Sequence, residues 1–136
     1  MQIKEYKKPA YESLKFYQDT CEIRRLISKI TKRFEKSHMR LVSQMRDAAR
    51  SAKQNIREGY KKGTAGEFGH SIRISQGSLE ELKGDVDDCL EDGLISKAES
   101  DVLGNLIRSA SYLSSRYLIS LNKLKNEKKW IVPFKK

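Results

Sequence analysis

Arg46, Arg50, Lys53, Arg57 and Lys61 recur at steps of 4, 3, 4 and 4. At about 100° per residue such a run stays within roughly 80° of arc, so on a helix it makes one cationic row. At 1.5 Å per residue the row spans about 22 Å, long enough to follow several phosphates of a nucleic-acid backbone. Arg25, Lys29, Lys32 and Lys36, with Arg33 at the edge, repeat the pattern upstream. The chemistry on offer is sequence-independent phosphate binding, which calls for no cofactor. A competing reading comes from Glu81, Asp85, Asp88 and Asp92, an acidic row at steps of 4, 3 and 4. It could pair with one basic row, inside the subunit or across a subunit boundary. Two basic rows and a basic C-terminal segment stand against that single acidic row, so complete neutralisation is not expected.

The chain ends in Lys128-Lys129-Trp130-Ile131-Val132-Pro133-Phe134-Lys135-Lys136. Lys128, Lys129 and Trp130 combine charge with an aromatic face, which suits phosphate contact plus stacking on single-stranded bases, or docking onto a partner. The alternative is that Trp130 and Phe134 fold back onto the domain while the lysines stay wet.

Little else could do chemistry. His38 and His70 have no Cys, Asp or Glu at zinc-ligand spacing, so both read as surface residues and no metal site is expected. No GxxxxGK[ST], GxSxG or HExxH occurs. Gly59, Gly63, Gly66 and Gly69 lack the preceding strand of a phosphate-cradling loop. The acidic row alone, without a histidine partner, is a poor start for a metal-dependent nuclease. No enzyme is expected. Cys21 and Cys89, 68 residues apart with no CxxC, read as buried free thiols.

The elements that must hold these rows are helices. Of 136 residues only Pro9 and Pro133 are prolines, one near each end, and the span between them lacks the side chain that most damages a helix interior. Helix 1 is predicted from Ala10 to Arg33, with Phe16, Ile23, Ile27, Ile30 and Phe34 on its core stripe. Helix 2 runs from about His38 to Glu58, capped by Ser37, with Leu41, Met45, Ala48, Ala49, Ala52 and Ile56 inward and Gly59 ending it in the left-handed conformation. Helix 3 opens on the capping box Thr64-Ala65-Gly66-Glu67 and carries Phe68, Ile72, Ser75, Leu79, Leu82, Val86 and Leu90 to Gly93. Helix 4 opens on a second box, Ser96-Lys97-Ala98-Glu99. Its stripe is Val102, Leu103, Leu106, Ile107, Ala110, Leu113, Tyr117, Leu121 and Leu124. Short connections make this an all-α, antiparallel up-down-up-down four-helix bundle. One domain is expected over residues 1–127, with a basic and aromatic tail over 128–136. Gly77 and Gly84 lie seven apart off the core stripe and suggest close approach of another helix, from this subunit or a second one.

In this order the motifs resemble the small four-helix-bundle proteins related to the protein encoded in bacterial 23S rRNA intervening sequences. Tyr11-Glu12-Ser13-Leu14-Lys15-Phe16-Tyr17-Gln18 is similar to that family's opening aromatic turn. Leu41-Val42-Ser43-Gln44-Met45-Arg46-Asp47-Ala48-Ala49-Arg50-Ser51 with Asn55-Ile56-Arg57-Glu58-Gly59 resembles its second-helix signature. Gly77-Ser78-Leu79-Glu80-Glu81-Leu82 and Asp92-Gly93-Leu94-Ile95-Ser96 resemble its third-helix and turn signatures. The likeness covers roughly residues 11 to 100. It departs at Lys53, where relatives commonly have a proline. The resemblance implies a ring-shaped homopentamer with no catalytic residues and a role near ribosomal RNA. A sister group with the same fold serves diversity-generating retroelements as accessory partner of a reverse transcriptase and binds nucleic acid; the second-helix wording is closer to the first group.

The 28 Lys and Arg against 18 Asp and Glu give +10. By segment the charge is +5 over residues 1–36, +5 over 37–62, −6 over 63–95 and +6 over 96–136. That distribution favours a protein that binds RNA through phosphate contacts. The alternative is an oligomeric scaffold for a partner enzyme such as a reverse transcriptase. No apolar run is long enough for a membrane span or signal-peptide core, so the expected location is cytoplasmic.

Overall fold

The structure, a computed structural model, describes residues 10–126. It contains four α-helices: α1 (Lys15–Thr31), α2 (Met39–Lys61), α3 (Ala65–Glu91) and α4 (Lys97–Asn126). Among the described residues there is no strand, and 3₁₀ turns over Ala10–Ser13 and Lys36–His38 lead into α1 and α2. Helix α2 packs on α1 and α3, and α4 packs on the same two, so α1 and α3 stand on one diagonal of a four-helix bundle.

The period of the apolar residues explains the arrangement. Ile23 and Ile27 of α1, Met45, Ala49, Ala52 and Ile56 of α2, Phe68, Ile72, Leu79, Leu82 and Val86 of α3, and Leu103 of α4 are essentially inaccessible to solvent. Each large aliphatic or aromatic side chain so buried contributes about 1.5–3 kcal/mol relative to exposure. At the two ends of the α4 stripe, Val102 is 50% exposed and Leu124 37% exposed, so the seam is narrower than the sequence pattern. Cys89 is buried against the Met45 sulfur, 3.7 Å away, and Cys21 is half-buried; both are free.

Aromatic packing fixes one end of the bundle. Tyr11 meets Tyr17 edge-on at 5.0 Å and Tyr60 at 5.4 Å, and Phe68 joins Tyr60 at 5.3 Å and Tyr117 at 5.8 Å. To bring Tyr11 there the chain makes a tight turn in which the Leu14 amide donates to the Tyr11 carbonyl. Leu14 is extended, and α1 therefore starts at Lys15, five residues later than the periodicity predicts.

The helix ends follow local chemistry unevenly. Ser96 and Glu99 form a complete capping box: the Glu99 amide donates to Ser96 Oγ at 3.1 Å and the Ser96 amide to Glu99 Oε1 at 2.8 Å. Thr64 Oγ1 accepts from the Glu67 amide at 3.1 Å. Gly93, at φ +75°, ends α3 in a Schellman arrangement, with the Leu94 amide donating to Cys89 O at 2.8 Å and the Gly93 amide to Leu90 O at 3.1 Å. Two expectations fail. Ser37 lies inside the 3₁₀ turn and does not cap α2, whose first turn has no side-chain cap. Gly59 lies inside α2, which continues to Lys61, and the left-handed residue is Gly63 at φ +91°. Gly59 answers to packing instead: a Cβ there would fall 2.2 Å from Ser71 Cβ on α3.

Candidate nucleic-acid interface

Helix α2 has two seams of opposite character. On the α3 side, small residues let the backbones approach, and among the described residues no buried side-chain nitrogen or oxygen lacks a hydrogen-bond partner. Ser75 donates to the Ala52 carbonyl at 2.7 Å, Ser51 and Ser78 share a hydrogen bond at 2.9 Å, and Gln44 Nε2 donates to both oxygens of Asp85 at 2.9 and 3.1 Å. On the α1 side lie the cations. Arg46, Arg50 and Lys61 are exposed, while Lys53 and Arg57 are half-buried. The row thus follows the α1 side of α2, away from the alanine stripe, as its spacing predicts. Helix α2 is uninterrupted through Lys53.

Among the described residues, none of these five cations is in an ion pair with another helix. Arg57 makes only a loose 3.4 Å contact with adjacent Glu58. Arg46 is held by a neutral group: its Nε donates to Thr31 Oγ1 at 2.9 Å, and the Thr31 hydroxyl donates to the Ile27 carbonyl at 2.6 Å. Burial pushes the Tyr17 phenol above its usual range, with the Cys21 thiol and Tyr11 adding to the rise and the Arg57 charge pulling back.

The acidic row of α3 does not face these cations. Asp85 is buried and bound by Gln44, while Glu81, Asp88 and Asp92 are exposed and in no ion pair among the described residues. Burial is the main cause that raises the Cys89 thiol to about 11, with Asp85, Asp92 and Asp88 adding to it. Gly77 and Gly84, on the outward side of α3, have nothing within 4 Å of an added Cβ, so none of the described helices packs against them.

The upstream row is divided. Arg25 is bound to Glu22, its Nε 2.9 Å from Glu22 Oε2, and that hydrogen bond holds the carboxyl below and the guanidinium above their usual ranges. Lys29 borders a largely apolar cleft with α4 formed by Leu26, Ile30, Ala98, Val102 and Leu103. Lys32 is exposed. Arg33 grips Glu99 with two donors, one at 2.6 Å, and lowers that carboxyl to about 2.

The α1 residue that joins the α2 row is Arg24, which lines one cleft with Ser28, Arg46, Asp47 and Arg50. Arg24 falls outside the four-residue steps of the upstream row because it flanks the core stripe. Its signal is the seven-residue recurrence of Tyr17, Arg24 and Thr31, a single edge of α1 whose outer members are buried. Lys128, Lys129 and Trp130 lie outside the described residues. His70 is exposed, and half-buried His38 packs edge-on against Phe34 at 6.3 Å. Among the described residues no group of three or more His, Cys, Asp and Glu gathers where it could hold a metal, and no helix is long and apolar enough to cross a membrane.

Fold and surface together define a four-helix bundle with a row of cations along α2 that, among the described residues, has no carboxylate partner on another helix. The chain belongs to the 23S rRNA-intervening sequence protein family, whose model matches residues 12–115, from the opening aromatic turn to within α4. Among curated proteins none matches the chain.

Proposed function

We propose that this protein is a non-enzymatic nucleic-acid-binding protein, with RNA as its principal ligand, that holds backbone phosphates along Arg46, Arg50, Lys53, Arg57 and Lys61. The observation that carries the reading is that these cations lack cross-helix carboxylate partners while α3 keeps its acids elsewhere. Cations meant to hold the bundle together would be paired, as Arg33 is with Glu99. The family's name supplies a ribosomal-RNA context. Lys128, Lys129 and Trp130 would add contacts at the chain end. Titration against a structured RNA at several salt concentrations tests this. Each phosphate contact adds about 0.7–0.9 to the log–log slope, so affinity should fall steeply with salt; a flat response, or no binding at about 50 mM salt, would refute it.

We further propose that the helices alternate up and down and that copies of the bundle associate. Along the α2–α3 seam the pairs Gln44–Asp85, Ser51–Ser78 and Gly59–Ser71 rise on one helix as they fall on the other, which supports antiparallel packing. The open, acidic face of α3 and the outward cations of α1, on opposite corners of the bundle, suit head-to-tail association of copies, the ring that the family likeness implies. Light scattering should give a mass that falls as salt rises; a monomer at all salt concentrations would exclude the ring.

A further inference from the structure

We propose that the cleft between α1 and α2 lined by Arg24, Ser28, Arg46, Asp47 and Arg50 seats a terminal phosphate monoester of a nucleic-acid strand, which then runs along the α2 row. In naming a strand as the carrier, this rests on the nucleic-acid reading above.

Three observations carry it. The cleft, about 180 Å³ in volume, is lined by three arginines from two helices together with Ser28 and Asp47. Its lining therefore has a net charge of +2. A phosphate monoester carries about −1.5 to −2 at neutral pH, whereas a backbone diester carries one negative charge, so the terminal group is the better electrostatic match.

The second observation is that Arg46 is already oriented. Thr31 directs its hydroxyl hydrogen at Ile27 O and offers a lone pair to Arg46 Nε, which leaves the two terminal amino groups of that guanidinium for a ligand. A guanidinium held in place loses less freedom on binding, and its planar fork matches phosphate oxygens.

The third is a contrast among the arginines on and around α1. Arg25 and Arg33 are each bound to a carboxylate, Glu22 and Glu99. Arg24, Arg46 and Arg50 are in no ion pair among the described residues. All three arginines that line the cleft are thus without a carboxylate held within ion-pair distance.

The test uses the full chain and three RNA oligonucleotides of one sequence: hydroxyl at both ends, 5′-phosphate, or 3′-phosphate. Affinities are measured by fluorescence anisotropy at fixed salt. At least one phosphorylated oligonucleotide should bind about tenfold tighter than the hydroxyl form, the scale of one or two charge-assisted hydrogen bonds. Inorganic phosphate should close that gap, Arg24→Gln should narrow it, and Lys61→Gln should weaken all three alike. Equal affinity for the three would overturn the seat while leaving the α2-row reading intact. Binding confined to phosphorylated oligonucleotides would uphold the seat and overturn the row, and no binding of any would overturn both. Circular dichroism of Arg24→Gln checks that a lost gap does not come from unfolding.

Discussion

The two seams of α2 solve different problems with the same helix. Toward α3 the side chains are small, the backbones are close, and Gln44, Ser51 and Asp85 all have partners. Toward α1 the side chains are long and charged, a cleft stays open, and the Arg46 guanidinium is tied to a threonine. A buried polar group left unmatched costs about 1–3 kcal/mol, so the α3 seam must be complete. Exposed cations cost little when unpaired, and the α1 seam keeps them available. Structural demands account for the first seam, and the second becomes intelligible when a polyanion is added.

Substitutions can break this contrast in order of effect. Gly59→Ala should be the most damaging small change on the α3 seam, destabilising by about 2–3 kcal/mol in chemical denaturation because the new methyl meets Ser71 Cβ at 2.2 Å. Pairing it with Ser71→Gly should recover a measurable part, and strict additivity of the two would mean the close approach is wrong. Ser75→Ala leaves the Ala52 carbonyl without its hydroxyl donor and should cost about 1 kcal/mol. Gly77→Ala tests the opposite case: with open space around it, the exchange should stabilise an isolated subunit by about 0.5–1 kcal/mol through helix propensity. If it lowers the oligomer mass in light scattering instead, a second copy packs there. Arg50→Gln on the α1 side should stay within about 0.5 kcal/mol of the parent protein, as a surface change does. A larger loss would show that the row serves stability.

The smallest effect concerns a cation that is paired. Arg33 lowers the Glu99 carboxyl from 4.5 to about 2. A depressed carboxylate contributes stability above its unfolded value and loses it as pH falls toward the folded one. The contribution should therefore be present at neutral pH and decline between about pH 4.5 and 2. Both side chains are partly exposed, so screening keeps it near 1 kcal/mol or less. Glu99→Gln should remove that part of the acid-induced loss in urea titrations; an unchanged acid limb would mean the pair carries no net energy.

Much of the fold was legible because core stripes and caps are local. Ile23, Ile27, Met45, Leu79 and Leu82 recur at the helical period and are buried, and Ser96 with Glu99 caps as a four-residue pattern should. What was hidden depends on a second helix. Gly59 has the sequence look of a helix terminator, yet it answers to Ser71 across the α3 seam. The turn at Leu14 arises because Tyr11 packs on Tyr17 and Tyr60, which no local propensity encodes. At the candidate site, the spacing of Arg46, Arg50, Lys53, Arg57 and Lys61 placed them on one face correctly. Which cations are already occupied was only partly visible: Glu22 lies three residues before Arg25 on the same helix, whereas Arg33 meets Glu99 from α4.

The central claim is that the α2 cations without carboxylate partners on other helices hold nucleic-acid phosphates. The most direct test compares the salt dependence of RNA affinity for the parent chain and a variant with Arg46, Arg50, Lys53, Arg57 and Lys61 all changed to Gln. With about 0.7–0.9 per phosphate contact, the slope should become shallower by about 3.5–4.5 while the variant keeps its fold. Equal slopes for the two proteins would contradict the account.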